Sequence, residues 1–153
     1  IKRKVFEKCG LFDEQFEKMR MGDGEFGVRA YLNGYKNISN PKAFRIHLKN
    51  AEGGLRDMGH WDAFRPKNFF SQRPVPSVLY FFRKYWGNKT AILYCILTIP
   101  FALLPYRFKG TLGGSIISYF LFIIFFPIII IQVSCSWIKS TDMINKGSAI
   151  DKL

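Results

Sequence analysis

In the last third of the chain the apolar residues run on almost without interruption. Ser115 to Trp137 spans 23 residues with no charged side chain, and the stretches Phe120–Phe126 and Ile128–Ile131 are apolar on every face a helix could present. A helix apolar all round is buried in a large core or in lipid, and a chain of 153 residues has no core of that size. The run therefore predicts a membrane-spanning helix, with Pro127 as a tolerated kink. Ala91 to Tyr106, roughly 16 residues near the short limit for a span, contains Pro100 and Pro105 and predicts a second crossing. Together the two predict a transmembrane hairpin over 91–138. Tyr85, Trp86, Tyr106, Tyr119 and Trp137 fall near the predicted span ends, where interfacial aromatics concentrate.

Upstream the pattern is mixed. In Pro76–Trp86, the residues Val78, Leu79, Phe82 and Trp86 share a helical face with Arg83 and Lys84 off it. This predicts either an amphipathic connector over 71–90, lying in the membrane plane, or a core helix of the preceding part. Phe26, Ala30 and Leu32 predict the inner face of a short helix that begins near Asp23 and stops at Gly34. Ala43-Phe44-Arg45-Ile46-His47-Leu48 alternates and predicts a strand. Residues 1–70 form the polar part, and 139–153 form a tail.

Charge sharpens the membrane reading. The chain carries 23 Lys and Arg against 11 Asp and Glu, a net charge of +12. Eighteen of those cations precede Ala91, whereas the predicted inter-span turn holds only Arg107 and Lys109. The positive-inside rule then puts 1–90 and the tail in the cytoplasm, at the plasma (inner) membrane, with a multi-pass anchor. A basic surface attracts anionic lipids and nucleotides. Nucleic acid is the other standard partner of a basic chain, but no nucleic-acid-binding motif is present, so it is not expected. The three cysteines Cys9, Cys95 and Cys135 make no disulfide framework.

Several polar residues stand in positions that suit chemistry. Asp23 and Glu25 open the predicted helix, where a carboxylate either caps free N–H groups or serves as a base held by the helix dipole. Asp13 and Glu14 follow Gly10-Leu11-Phe12 in a turn that can be purely structural, with Phe12 and Phe16 buried and the acids capping. His47 stands alone, which more often marks a structural residue than a metal ligand. The glycine-rich Glu52–Asp62 segment carries Arg56 and Trp61, with Arg65 beyond. An arginine on such a loop can fork onto phosphate oxygens.

The order Gly10-Leu11-Phe12-Asp13-Glu14, then Gly22-Asp23-Gly24-Glu25 opening a helix with Arg29, then His47, resembles the carboxyl-terminal half of the catalytic domain of family 2 glycosyltransferases. The resemblance covers about Val5 to His47, more loosely to Trp86. It implies an α/β fold, a partial GT-A domain of short helices and a few strands in 1–70, followed by the connector and two transmembrane helices. It also implies transfer, with inversion, of a sugar from a nucleotide-sugar donor to a glycan or lipid-linked acceptor. Asp23 falls on the family's base, although Gly22 stands where the family has its first acid. Asp13, Glu14, Glu25, Arg29, Arg56, Trp61 and Arg65 become substrate-binding candidates. His47 falls where some members complete a magnesium or manganese site on the donor diphosphate. The Q-x-x-R-W motif of processive synthases is not present. Neither are a D-x-D motif and a nucleotide-binding first half, so the chain reads as a C-terminal piece of a longer enzyme, inactive alone. The reading from another class is a non-catalytic basic membrane protein that binds anionic lipid or a partner subunit.

Overall fold

The structure is a computed structural model and describes residues 1–44, 71–103 and 111–153. These fall into two compact units, one of residues 1–44 and 148–153, the other of 71–103 and 111–147.

The first unit holds two helices, α1 (Arg3–Cys9) and α2 (Gly22–Leu32), with a single 3-10 turn at Glu14–Phe16 between them. α1 ends at Gly10, which adopts φ +79° and donates its N–H to Phe6 O at 2.7 Å. α2 starts after Met21, whose φ of +75° turns the chain into the helix. At its far end Gly34 N donates to Tyr31 O at 2.9 Å and Tyr35 N to Ala30 O at 3.0 Å, the paired bonds of a Schellman stop. Gly34 has φ +87°, so this glycine serves the turn as its position predicts. Cys9, Phe26 and Ala30 form the core, with Val5, Phe6 and Tyr35 packed against it. The Phe6, Phe12 and Phe26 rings pack at a tilt, with centroids 4.8–6.3 Å apart. Leu32, expected inside, is exposed, because it lies past the last inward turn of α2.

Residues 148–153 also belong to this unit. Leu11 N donates to Asp151 O at 2.8 Å and Glu14 N to Ala149 O at 2.9 Å, which ties the chain end to the Gly10–Glu14 loop.

The second unit is built from α3 (Pro76–Ala102), α4 (Leu112–Ile124) and α5 (Phe126–Lys146). α3 bends at Gly87, where φ +79° and ψ 174° interrupt the helix. Residues 76–81 are buried at every consecutive position, as in a core helix rather than one lying on a surface. α3 packs on α5 through Arg83, whose Nη1 donates to Ser140 Oγ at 2.6 Å, and Ser136 Oγ of α5 donates to Pro74 O, just ahead of α3, at 2.6 Å. α4 is joined to α3 by a hydrogen bond from Ser118 Oγ to Pro100 O.

One expectation is corrected here and a second is met only in part. All regular structure among the described residues is helical, with no strand and no sheet, so the α/β partial GT-A fold is not found. Apolar residues recur three or four apart in the described elements, and their backbone groups pair within their own helices. The alternating segment 43–48 that predicted a strand lies outside the described residues from 45 onward. The multi-pass hairpin of two separate spans is not supported among the described residues, and 104–110, within it, lie outside them. No single helix among the described residues is long and apolar enough to cross a membrane. The described part of the first predicted span, 91–102, is about 18 Å of helix, against a hydrocarbon core of about 30 Å.

The second predicted span is broken into α4 and α5, bent by 79°. Pro127 supplies no N–H, and in a continuous helix its ring would press on the carbonyl of Ile123, so the helix ends and a new one starts with proline in its first turn. Taken together, the bent pair Leu112–Ile124 and Phe126–Lys146 does meet the length and composition of a crossing. Its apolar side chains are not hidden in protein: Ile116, Ile123 and Ile131 are 65%, 71% and 62% exposed.

Candidate functional site

The described acids of the first unit divide sharply by environment. Glu25 is completely buried and pairs with Arg29 one turn on, Nη2 to Oε2 at 3.0 Å. Arg29 Nε donates to both Glu25 oxygens at 3.2 and 3.3 Å. Arg29 Nη1 donates to Cys9 O, and Nη2 to Leu11 O at 2.7 Å. One guanidinium thus satisfies the last carbonyl of α1, another two residues beyond it and a buried carboxylate of α2, while lying 5.2 Å from the Phe26 ring centre. This arrangement holds the unit together and leaves the pair facing inward.

Asp13 is also buried, and its Oδ1 accepts from Gln15 N and Ala149 N, both at 3.1 Å. It caps the 3-10 turn and clamps the chain end in one step. Glu14 is exposed beside it. Asp13, Glu14, Phe12, Phe16, Glu17 and Gly22 line a depression of about 460 Å³.

Asp23 differs from both. It lies in the first turn of α2, after Met21 rather than as the cap itself, so its carboxylate is not used in capping. It is exposed, and has no hydrogen-bond or ion-pair partner among the described residues. It lines a cleft of about 630 Å³ with Lys2, Lys4, Lys36, Tyr35 and Asn37. The walls are pinned: Asn37 Nδ2 donates to Gly27 O at 2.9 Å, and Tyr35 Oη to Lys4 O at 3.2 Å. The helix N-terminus and three ammonium groups give this cleft a positive field with one carboxylate in it.

The structure therefore separates the candidates. Asp23 stands in the cationic cleft, Asp13 and Glu14 line a different depression, and Glu25 and Arg29 are buried against each other. His47, Arg56, Trp61 and Arg65 lie outside the described residues. One carboxylate among three lysines does not suit a divalent cation, and no group of three or more His, Cys, Asp or Glu side chains converges among the described residues. The lysines of the cleft were not singled out from sequence. The surplus of cations in 1–44 was the available signal, but only the return of Gly34–Ile38 past α1 brings Lys36 to Lys2 and Lys4.

No family model, curated protein or solved structure matches the chain.

Proposed function

We propose that this chain belongs to a membrane-bound glycosyltransferase in which Asp23 removes the proton of the acceptor hydroxyl. The observation that carries the reading is the Asp23 carboxylate itself, engaged by no described side chain and set in a cleft lined by Lys2, Lys4 and Lys36. A general base must be accessible and within hydrogen-bond reach of the proton it takes. Asp13 and Glu25 are buried in internal contacts, and Asp23 is not. The three ammonium groups suit an anionic donor such as a nucleoside diphosphate sugar.

In the step proposed, an acceptor hydroxyl oxygen attacks the anomeric carbon as an Asp23 oxygen takes its proton. The bond from that carbon to the diphosphate oxygen breaks, and the nucleoside diphosphate leaves with the electron pair. The acceptor is a glycan or lipid-linked hydroxyl. The charge surplus before Ala91 favours a cytoplasmic face for this part at the plasma (inner) membrane, where nucleotide sugars are available.

The test incubates membranes carrying the complete protein with a panel of nucleotide sugars and follows both release of the nucleoside diphosphate and labelling of the lipid and glycan fractions. At least one donor should be consumed with transfer of its sugar. Absence of turnover with every donor, in membranes where the protein is folded, rejects the reading.

A further inference from the structure

Arg83 is the most unusual cation in the second unit. It projects from the first half of α3 and is only partly exposed. Nη1 sits among three acceptors of α5, Trp137 O at 3.1 Å, Ser140 Oγ at 2.6 Å and Thr141 Oγ1 at 2.8 Å. Nε donates to Asn88 Oδ1 at 2.9 Å across the Gly87 bend. The guanidinium carbon lies 4.2 Å from the Trp137 ring centre, a cation–π contact. Every one of these partners is neutral. Nη2 has no partner among the described residues. Burial pulls the Arg83 pKa below its ordinary value, with no carboxylate to offset the loss of water.

The lack of a carboxylate is built into the composition. Described residues 71–147 contain six Lys and Arg and a single acid, Asp142, which makes no ion pair with Arg83. A guanidinium does not lose its proton in a protein. A half-buried one with an unused donor edge therefore favours an anion from outside the chain.

The same Trp137 also lines an apolar groove between α3, α4 and α5. The groove encloses about 200 Å³ and is walled by residues such as Ile92, Cys95, Ile96, Ile129 and Val133. A sugar or nucleotide placed there would leave its polar groups unpaired, whereas an alkyl chain would not. Around it, Ile92, Ile96 and Ile130 are about half exposed, at 49%, 54% and 46%. Apolar wall, indole and guanidinium thus follow one another in the order of tail, interface and headgroup of a phospholipid.

We propose that the groove between α3 and α5 binds an anionic phospholipid of the surrounding bilayer, its acyl chain against Ile96, Ile129 and Val133 and its phosphate on the free edge of Arg83 above Trp137. The site shares no residue with the Asp23 cleft, and its existence does not depend on sugar transfer.

The experiment uses the complete protein, with Trp61→Phe and Trp86→Phe to leave Trp137 as this chain's tryptophan reporter, reconstituted into phosphatidylcholine vesicles. Phosphatidylglycerol or phosphatidylcholine with brominated acyl chains is then titrated in. Brominated phosphatidylglycerol should quench Trp137 at lower mole fraction than brominated phosphatidylcholine. Arg83→Gln should remove about fivefold of that preference, the weight of one cationic contact at a membrane surface, and Arg83→Lys should retain part of it. If Arg83→Gln alters the helical circular dichroism, titration of the Arg83 protein with unbrominated phosphatidylglycerol decides the matter, because it should relieve the quenching where phosphatidylcholine does not. Equal quenching by both lipids, or a preference unchanged in a folded Arg83→Gln protein, overturns the proposal. So does a Trp137 that neither lipid quenches in a protein that crosslinks as a dimer, which would put a second copy in the groove.

Discussion

Replacing Arg29 by methionine separates a structural arginine from a substrate-binding one. In the folded unit the Arg29 side chain is 10% exposed and its partner Glu25 is not exposed at all. Methionine keeps much of the side-chain stem but strands the Glu25 carboxylate and removes the donors to Cys9 O and Leu11 O. Removing one member of a buried ion pair costs about 3–5 kcal/mol. A unit of some 50 residues has roughly 2.5–7.5 kcal/mol of stability in total, so most of it is lost. Adding Glu25→Gln removes the stranded charge but leaves the two carbonyls without their donors, at about 1–3 kcal/mol for each, so recovery should be partial. Native-state hydrogen exchange on the α1 and α2 amides measures this directly. The single variant should exchange through near-global opening, and the double variant should be slower than the single but faster than the parent. Arg29→Met with exchange close to the parent, within about 1 kcal/mol, would refute the structural assignment and return Arg29 to the substrate.

Two further outcomes follow from the docked chain end. Asp13→Ala removes the acceptor shared by Gln15 N and Ala149 N, and should cost about 1–2 kcal/mol, with the Ala149 amide exchanging roughly tenfold faster; unchanged protection at Ala149 would mean the clamp is not formed in solution. Gly10→Ala places a side chain at φ +79° and ψ 179° and drives its Cβ into Ile150 Cγ2. That region belongs almost wholly to glycine, so a loss of about 1–3 kcal/mol in urea unfolding is expected, and an alanine tolerated without loss would count against the docked geometry.

Local signals in the sequence carried some elements well. The stop at Gly34 was readable because a glycine after an apolar-faced helix suits the left-handed turn. Phe26 and Ala30, four apart, were readable as its inner face. Glu25 and Arg29 also stand four apart, the spacing of a helical ion pair, yet nothing local shows that Arg29 reaches the end of α1, twenty residues earlier in the chain. Asp13 presents the same difficulty over a longer range, since its second partner is Ala149.

Hydropathy identified the apolar run after Ser115 but not its shape. A composition window sees Pro127 as one residue in a long greasy segment, whereas the backbone breaks there by 79° because a donor is missing and a ring obstructs. The Gly87 bend in α3 likewise depends on one residue with φ +79° inside a sequence that otherwise propagates a helix. Arg83 was legible as a cation off the apolar face of its helix. Its isolation from carboxylates could have been anticipated from the single acid between Ser71 and Gly147, but its place beside Trp137 required the packing of α3 on α5. The α/β expectation came from the family resemblance and the alternation at 43–48, and the described helices do not carry it.

The most direct measurement is the turnover number of Asp23→Asn beside its affinity for the nucleotide sugar, both in membranes of the complete protein. Asparagine keeps the shape and loses the base, so turnover should fall by about 10²–10⁴-fold with donor affinity little changed. Turnover within a few-fold of the parent would show that another group takes the proton, and the assignment of Asp23 would not stand.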